Sequence, residues 1–440
     1  MTDEQILSFT KNAPTPLYVF DLGELEKRVA FLRSCLPEKV ELCYAVKANT
    51  FIIEKAAEIV DLLEICSPGE YRICDRLSVP HSKFVVSGVN KQADFIDSAI
   101  ASDEPAAYFT AESVNQFHML RDSAEKHHKR ISVLLRLTSG NQFGLDKDDL
   151  FDVIARYKDD PWVEITGIQY FSGTQKNSLK KLKRELDYVD TVLSELLEKH
   201  SYAASKLEYG TGFPVSYFDG ENFDESAFLE EFSKLLSDMA FKGKITLEIG
   251  RSIAASCGTY LTRVVDTKVN CGERYAIVDG GMHQIVYYGQ FMAMKHPKIR
   301  RIAAGAGAES GAENAAAESE THDAENAAAE DCECVAGAES GGAGAGADCN
   351  CVAGAESGAA ADWNICGSLC TINDFLVKKF PFADLRIGDI LLFPSAGAYC
   401  VTEGIALFLS RELPGVYLLD TDGSIRKVRD QIPTEKFNST

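Results

Sequence analysis

Leu42-Cys43-Tyr44-Ala45-Val46-Lys47-Ala48-Asn49 reads as a buried strand with a lysine inside it. An unpaired ammonium in a dry interior costs several kcal/mol, so such an amine is paired, has a lowered pKa or is used covalently as a Schiff base. The plainer reading is a lysine at a strand end with its head in water, and an isolated Val-Lys-Ala fits it well. The surrounding chain has to decide between the two.

Outward from Lys47 to Ile249, short apolar runs alternate with longer stretches of helical spacing. Strands are predicted at Leu42 to Ala48, Leu62 to Cys66, Lys83 to Ser87, Ala107 to Thr110, Ile131 to Leu137, Glu164 to Phe171, Lys206 to Tyr209 and Ile245 to Ile249. Helical spacing fills the gaps, as in Ser113 to Lys129, which opens on a capping serine, and Leu179 to His200. Eight strands each followed by a helix fit a (β/α)8 barrel, and a doubly wound open sheet is disfavoured by the count. After Ser252 the texture becomes β-branched and turn-rich: Thr259 to Asp266, Tyr275 to Val278, Asp389 to Phe393, and a hairpin from Val416 to Val428 around Asp420-Thr421-Asp422-Gly423. This predicts a second, mostly β domain. The division expected is a barrel over 17–255, with the strand at Pro16 to Phe20 counted with it, and a β domain from 1–16 and 256–440.

The 440 residues suffice for two domains, and 45% hydrophobic with 25% charged residues is ordinary for a globular protein. The acidic start Met1-Thr2-Asp3-Glu4-Gln5 is unlike a secretory leader, and no apolar stretch is long enough to cross a bilayer, so a cytoplasmic protein is expected. A net charge of -21 argues against nucleic acid or an anionic membrane as partner. Thirteen of the 66 acids lie between Ala303 and Asp362, a stretch without Lys or Arg. Residues 303–361 are almost wholly Ala, Gly, Glu, Ser and Asn, and Asp331 to Gly341 recurs as Asp348 to Gly358 with one change. That composition buries too little apolar surface to offset its ordering entropy, which predicts a disordered insertion. Thirteen cysteines without a leader do not suggest a disulfide framework. The pairs Cys332/Cys334 and Cys349/Cys351 lack zinc-knuckle spacing, and no metal site is expected.

Barrel enzymes build their sites at the C-terminal strand ends. There the sequence places Lys47, Ser67, Arg136, Phe171-Ser172-Gly173-Thr174, Gly210-Thr211-Gly212 and Glu248-Ile249-Gly250-Arg251. Glycine-bearing loops after the last two strands can hold a phosphate on backbone N–H groups, although glycines after strands are more often plain turn formers. Glu248 is a second ionisable group in an apolar run, and its plain reading is an ion pair, for which Lys47 is a candidate partner. A lysine, an acid and a phosphate cradle in one barrel mouth suggest pyridoxal phosphate, whose chemistry the protein would orient.

The chain resembles the fold-type III pyridoxal-phosphate decarboxylases, the group containing diaminopimelate, ornithine and arginine decarboxylases. The resemblance is carried by Tyr44-Ala45-Val46-Lys47-Ala48-Asn49, Glu64 to Glu70, Gln142-Phe143-Gly144, Gly173-Thr174-Gln175, Gly210 to Phe213, Glu248 to Arg251, Val278 to Met282, Gly367-Ser368-Leu369-Cys370 and Gly397-Ala398-Tyr399. It implies that Lys47 holds the cofactor covalently and that Glu248 pairs with its ring nitrogen. Gly212, Gly250, Arg251 and Tyr399 would hold its phosphate, with Ser67, Thr174 and Gly210 in the same wall. Arg136 would order the lysine side. It further implies a homodimer with shared sites, in which Cys370 arrives from the partner subunit's β domain to protonate Cα. Arg251, Thr371, Asp374 and Tyr399 would contact the substrate.

Departures from the family pattern sharpen the reading. Phe171 stands where a ring-stacking histidine is usual, Ile249 where proline is usual, and Thr211 where glycine is usual. Thr371 follows Cys370 where diaminopimelate enzymes carry a glutamate for the distal amine, leaving Asp374 as the nearest acid. Phe171, Thr174-Gln175, Asp279 to His283 and Leu369-Cys370-Thr371 look more like a subgroup that decarboxylates an aminoacyl group tethered to an acyl carrier protein. Two other functions fit the same fold. An amino-acid racemase on the same barrel would lack the late cysteine loop, and a non-catalytic regulatory homologue would not need Lys47, Glu248 and Cys370 together.

Overall fold

The computed structural model describes residues 1–304 and 360–440. A first strand, β1 (Leu17–Asp21), precedes a closed barrel of eight parallel strands. These are β2 (Glu41–Ala45), β3 (Leu62–Ile65), β4 (Phe84–Val86), β5 (Tyr108–Ala111), β6 (Ile131–Leu137), β7 (Val163–Phe171), β8 (Lys206–Gly210) and β9 (Lys244–Ile249). Closure comes from β2 pairing with β9, where Cys43 sits opposite Glu248 and Tyr44 opposite Ile249. Strands covered on both faces read as continuous apolar runs, which is why β3, β4 and β8 are buried at every position.

The helices pack around the outside on amphipathic faces. In Leu179–His200 the buried set Leu182, Leu186, Val189, Val192, Leu193 and Leu196 repeats every three to four residues and meets the barrel. Each such side chain contributes about 1.5–3 kcal/mol. Ser67, Ser113 and Ser178 cap the helices that follow them by accepting N–H bonds from Glu70, Gln116 and Lys181, worth about 1 kcal/mol each.

The second unit is a nine-stranded sheet of β1 with β10 (Gly258–Asn270), β11 (Glu273–Val278), β12 (Arg300–Ile302), β13 (Ala360–Cys366), β14 (Phe375–Ala383), β15 (Ile390–Phe393), β16 (Gly415–Leu419) and β17 (Ile425–Arg429). The strand expected at Pro16 to Phe20 belongs here rather than with the barrel. Leu17 to Phe20 pair antiparallel with β10 and Leu17 to Asp21 pair parallel with β16, so an outlying sequence segment supplies an interior strand of the sheet. Two further expectations change. Val46 to Ala48 do not extend the first barrel strand but form a 3-10 turn beyond it. Ala360 and Ala361, assigned to the insertion, already pair with Ala383 and Phe382 in β13–β14. The rest of that insertion, with its cysteine pairs and repeat, lies outside the described residues apart from Ala303 and Ala304. Among the described residues no helix is long and apolar enough to cross a membrane.

Candidate active site

A cavity of about 230 Å³ opens at the C-terminal mouth of the barrel and is lined by Lys47, Phe171, Thr174, Gly212, Glu248, Gly250, Arg251, Tyr288, Tyr399 and Glu403, among others. That is far more than a water needs. Its two ends differ in charge. At one end the 3-10 turn after β2 aims Lys47 inward, where Nζ donates to Glu64 Oε2 at 2.9 Å and to Glu248 Oε1 at 3.3 Å, with Cys66 Sγ at 3.7 Å. Glu64 and Glu248 are 3% and 8% exposed. Lys47 itself keeps 39% of its side chain accessible, because it borders the cavity. The expectation of an amine in a dry interior is therefore corrected: it lies deep in the molecule but faces open space, because the turn lifts it past the last strand residue.

Burial works to lower the Lys47 pKa, but the carboxyls of Glu64 and Glu248 outweigh it and hold the amine well above its ordinary value. Two buried carboxyls facing one ammonium cannot both stay ionised cheaply. Burial raises both. The Lys47 charge and a hydrogen bond from Glu248 nevertheless bring Glu64 down to about 2, while burial and the Glu64 charge push Glu248 well above the carboxylate range. Both directions favour keeping the shared proton on Glu248.

At the other end Arg251 is 7% exposed. Its Nη1 donates to the Tyr217 hydroxyl at 3.0 Å and its Nε reaches Thr174 Oγ1 at 3.4 Å. The guanidinium also lies over Tyr399 and Tyr288, 4.5 and 4.7 Å from their ring centroids. No carboxylate pairs with it among the described residues, and a buried cation without an acid calls for an anion. Gly212 (φ +57°) brings backbone close to the cavity wall, and a Cβ there would fall 2.1 Å from the Gly173 carbonyl oxygen. Tyr399 is held by its N–H donating to the Ala48 carbonyl at 2.7 Å, which ties the β domain to the lysine turn. Burial pushes its hydroxyl up to about 12 against the lowering effect of Lys47 and Arg251.

The other expected residues are placed as follows. Phe171 lines the cavity, with its ring against Gly210. Ser67 caps a helix, and Arg136 pairs with Glu112 at 2.6 Å and lies over Phe143, both outside the cavity lining. Cys370 is exposed on the β13–β14 loop and, with Thr371, is absent from the cavity of its own chain. Asp374, expected to meet substrate, is 3% exposed, and its carboxylate accepts the Met282 and Leu369 N–H groups at 2.8 Å each. It clamps the cysteine loop to the Met282 turn and has no oxygen to spare. Glu64 and Cys66 fall within the Glu64 to Glu70 motif but carried no expected role, and Tyr217, Tyr288 and Glu403 carried no expectation at all. For Glu64 the signal was there, an acid inside Leu62-Leu63-Glu64-Ile65, whereas the tyrosines sit in loops without periodicity.

A mouth with a reactive amine and acids at one end and an unpaired buried guanidinium at the other fits a phosphorylated ring cofactor bound through lysine. It defines a cofactor-dependent barrel enzyme. Residues 22–255 match the family model described as the pyridoxal binding domain of pyridoxal-dependent decarboxylases, and residues 342–397 match that of their C-terminal sheet domain. The chain belongs to the pyridoxal-dependent decarboxylases.

Among its relatives, it is 25% identical over 320 residues to the L-glutamyl-[BtrI acyl-carrier protein] decarboxylase of Niallia circulans, covering 67% of this chain and 74% of that one. It is 28% identical over 293 residues to 2-[(L-alanin-3-ylcarbamoyl)methyl]-2-hydroxybutanedioate decarboxylase of Staphylococcus aureus, covering 62% and 72%. The crystal structure of Helicobacter pylori diaminopimelate decarboxylase complexed with L-lysine shares its fold at a TM-score of 0.76 and 19% identity, over 98% and 97% of the two chains.

Proposed function

We propose that this decarboxylase acts on an aminoacyl group carried as a thioester on a carrier protein, in a homodimer whose sites are shared between subunits. The observation that carries the substrate reading is Asp374. The residues after Cys370 offer no free acid for a distal ammonium, since Thr371, Ile372 and Asn373 have none and the Asp374 oxygens are taken. A neutral thioester arm suits such a pocket better than a second charged head, and the Niallia circulans relative is named for a carrier-bound glutamyl group. A free diamino acid is the second reading, favoured by Glu403 at the cavity edge.

Pyridoxal phosphate, when bound, supplies the electron sink for the pair left behind as the α-carboxylate departs as carbon dioxide. The chain's own residues do the rest. Lys47 would anchor the cofactor, Arg251 with Gly212, Gly250 and Tyr399 would take the phosphate, and Glu248 would serve the ring nitrogen. Phe171 gives an apolar wall that stacks but neither donates nor titrates. Cys370 of a second copy returns one proton to Cα, so each turnover consumes one proton. Support for sharing is that Cys370 is exposed and lies outside the Lys47 cavity of its own chain.

The test is carbon dioxide release from a glutamyl-carrier thioester and from free diaminopimelate, lysine, ornithine and arginine. Release from the thioester alone is expected, and release only from a free diamino acid would overturn the substrate reading. Lys47→Ala and Cys370→Ala are each expected to be severely impaired. Mixed one to one, they should recover about a quarter of wild-type rate, because half the dimers are mixed and each owns one of two sites. No recovery after subunit exchange would refute sharing.

A further inference from the structure

Glu64 is a buried acid to which the proposed chemistry gives no task. It touches the same amine as Glu248, and the two carboxyls face each other beside it, within hydrogen-bonding reach. Charge decides what such a trio can be. One ammonium balances one carboxylate, so in the absence of a second cation the other carboxyl keeps its proton. The remaining surroundings favour the same outcome. Glu208, one layer down on β8, is wholly buried with an unpartnered oxygen and lies close enough to oppose further negative charge on Glu248. Cys43 on β2, Cys66 after β3, Lys176 after β7 and Tyr399 from the β domain are the other titratable groups facing Glu248. Arg136 on β6 faces Glu64 and favours its ionised form.

We propose that Glu64 is a positioning residue that loads Glu248 with a proton in the cofactor-free barrel mouth, so that Glu248 hands its own proton to the ring nitrogen as the cofactor docks. The step balances. The O–H bond of Glu248 breaks, an N–H bond forms on the ring, and the electron pair stays on the Glu248 carboxylate. The site is neutral before, with Lys47 and Glu64 charged and Glu248 protonated. It is neutral after, with Lys47 and the ring nitrogen positive and both carboxylates negative. An arriving neutral ring is thus protonated without a proton from solvent, and a buried unpaired charge is avoided at both stages. Glu64 ionises first because it makes the shorter contact with the Lys47 amine, 2.9 against 3.3 Å.

The inference rests on the cofactor reading, and its test separates the two. Pyridoxine 5′-phosphate has the ring and phosphate but no aldehyde, so Lys47 cannot react with it. Its binding to cofactor-free protein at mildly alkaline pH is followed by calorimetry in buffers of different ionisation enthalpy, which counts protons exchanged with solvent. Glu64→Gln leaves Glu248 as the sole counter-ion of Lys47 and therefore ionised, so the variant should take up about one proton more per site than wild type. Equal proton counts would overturn the inference. Failure of wild type to bind the ligand would instead count against the cofactor site. Should Glu64→Gln not fold, infrared spectra of the cofactor-free protein serve. The wild type should show a protonated-carboxyl band that Glu248→Gln removes, and an unchanged band would overturn the inference equally.

Discussion

Asp374→Asn distinguishes a residue that reads substrate from one that holds a catalytic loop. The wild-type carboxylate accepts two buried N–H groups, from Met282 and Leu369. Gly281 and Gly367 leave it room, since a Cβ at either would lie 2.6 or 2.2 Å from a carboxylate oxygen. Asparagine keeps one acceptor oxygen but turns an NH2 toward the second N–H, so one bond to a charged acceptor is lost and a buried donor is left unmet. Those effects together amount to about 2–4 kcal/mol. The loop that carries Cys370 then loses either its Asp374 tie to the Met282 turn or its internal brace from Asp374 to Leu369, and a displacement of about 1 Å at a reacting group can cost roughly 100-fold in rate. The assay is steady-state carbon dioxide release beside denaturant unfolding and the absorbance of bound cofactor. A clamp predicts kcat falling by one to two orders of magnitude (~10–100-fold), lowered stability, and undiminished cofactor binding, because Asp374 lies outside the Lys47 cavity. A raised KM with kcat and stability preserved would refute the clamp and restore the substrate role.

Glu248→Gln should make the cofactor-free fold more stable at neutral pH while impairing activity. A carboxyl whose folded pKa lies above its unfolded value binds a proton on folding, so its stabilising effect is full below about pH 4.3 and is lost as pH rises toward the folded value. Removing it should flatten that slope by about 1.4 kcal/mol per pH unit, and parallel stability curves from pH 5 to 7 would contradict the assignment. Glu64 has the opposite sign: its pKa is held at about 2, so its contribution is present at neutral pH and lost on acidification from about 4.3 downward. Gly212→Ala should weaken cofactor retention tenfold or more (~1.4 kcal/mol per decade), since alanine at φ +57° costs about 1–2 kcal/mol and its Cβ must push the Gly173 carbonyl aside. Dialysis of the coloured holoenzyme measures it, and wild-type retention would show that the wall can yield.

The barrel was legible because parallel strands buried on both faces write themselves as apolar runs. All eight predicted runs begin within one residue of the observed strand, and Ile131–Leu137 coincides with it. The helix Leu179–His200 was equally plain, as its apolar spacing runs between a capping serine and Ser201 in a left-handed turn. What the chain could not announce was long-range pairing. Leu17–Asp21 looks like any strand before a helix, and only its partners Thr259 to Leu261 and Val416 to Leu419, hundreds of residues away, put it in the second sheet. The site shows the same division. Lys47, Glu248 and Arg251 stand out as charges in or beside apolar strands, but the turn that lifts Lys47 depends on Tyr399 gripping Ala48 from another domain. The role of Asp374 was hidden because its partners are backbone groups, which carry no sequence signal.

Comparing Lys47 with two buried lysines of this barrel, Lys206 and Lys176, shows why burial alone does not pick out the reactive one. Lys206 is 2% exposed and donates to Glu41 at 2.7 Å, sealing the barrel's opposite end. Lys176 is 3% exposed and is saturated by Glu185 at 2.8 Å, Ser172 and the Gly210 carbonyl, which fastens the loop behind Phe171. Both have their hydrogen-bonding capacity spent on the protein, and neither lines the Lys47 cavity. Lys47 differs in two ways: it opens onto space, and it faces one carboxyl more than its charge can balance. That surplus acid is favoured as the neutral carboxyl in the empty protein and can give up its proton when a second positive centre arrives beside it. A buried structural lysine needs only one carboxylate to balance its charge. A lysine given two, with an unpaired guanidinium across the cavity, is organised around a molecule that brings both a protonatable nitrogen and an anion.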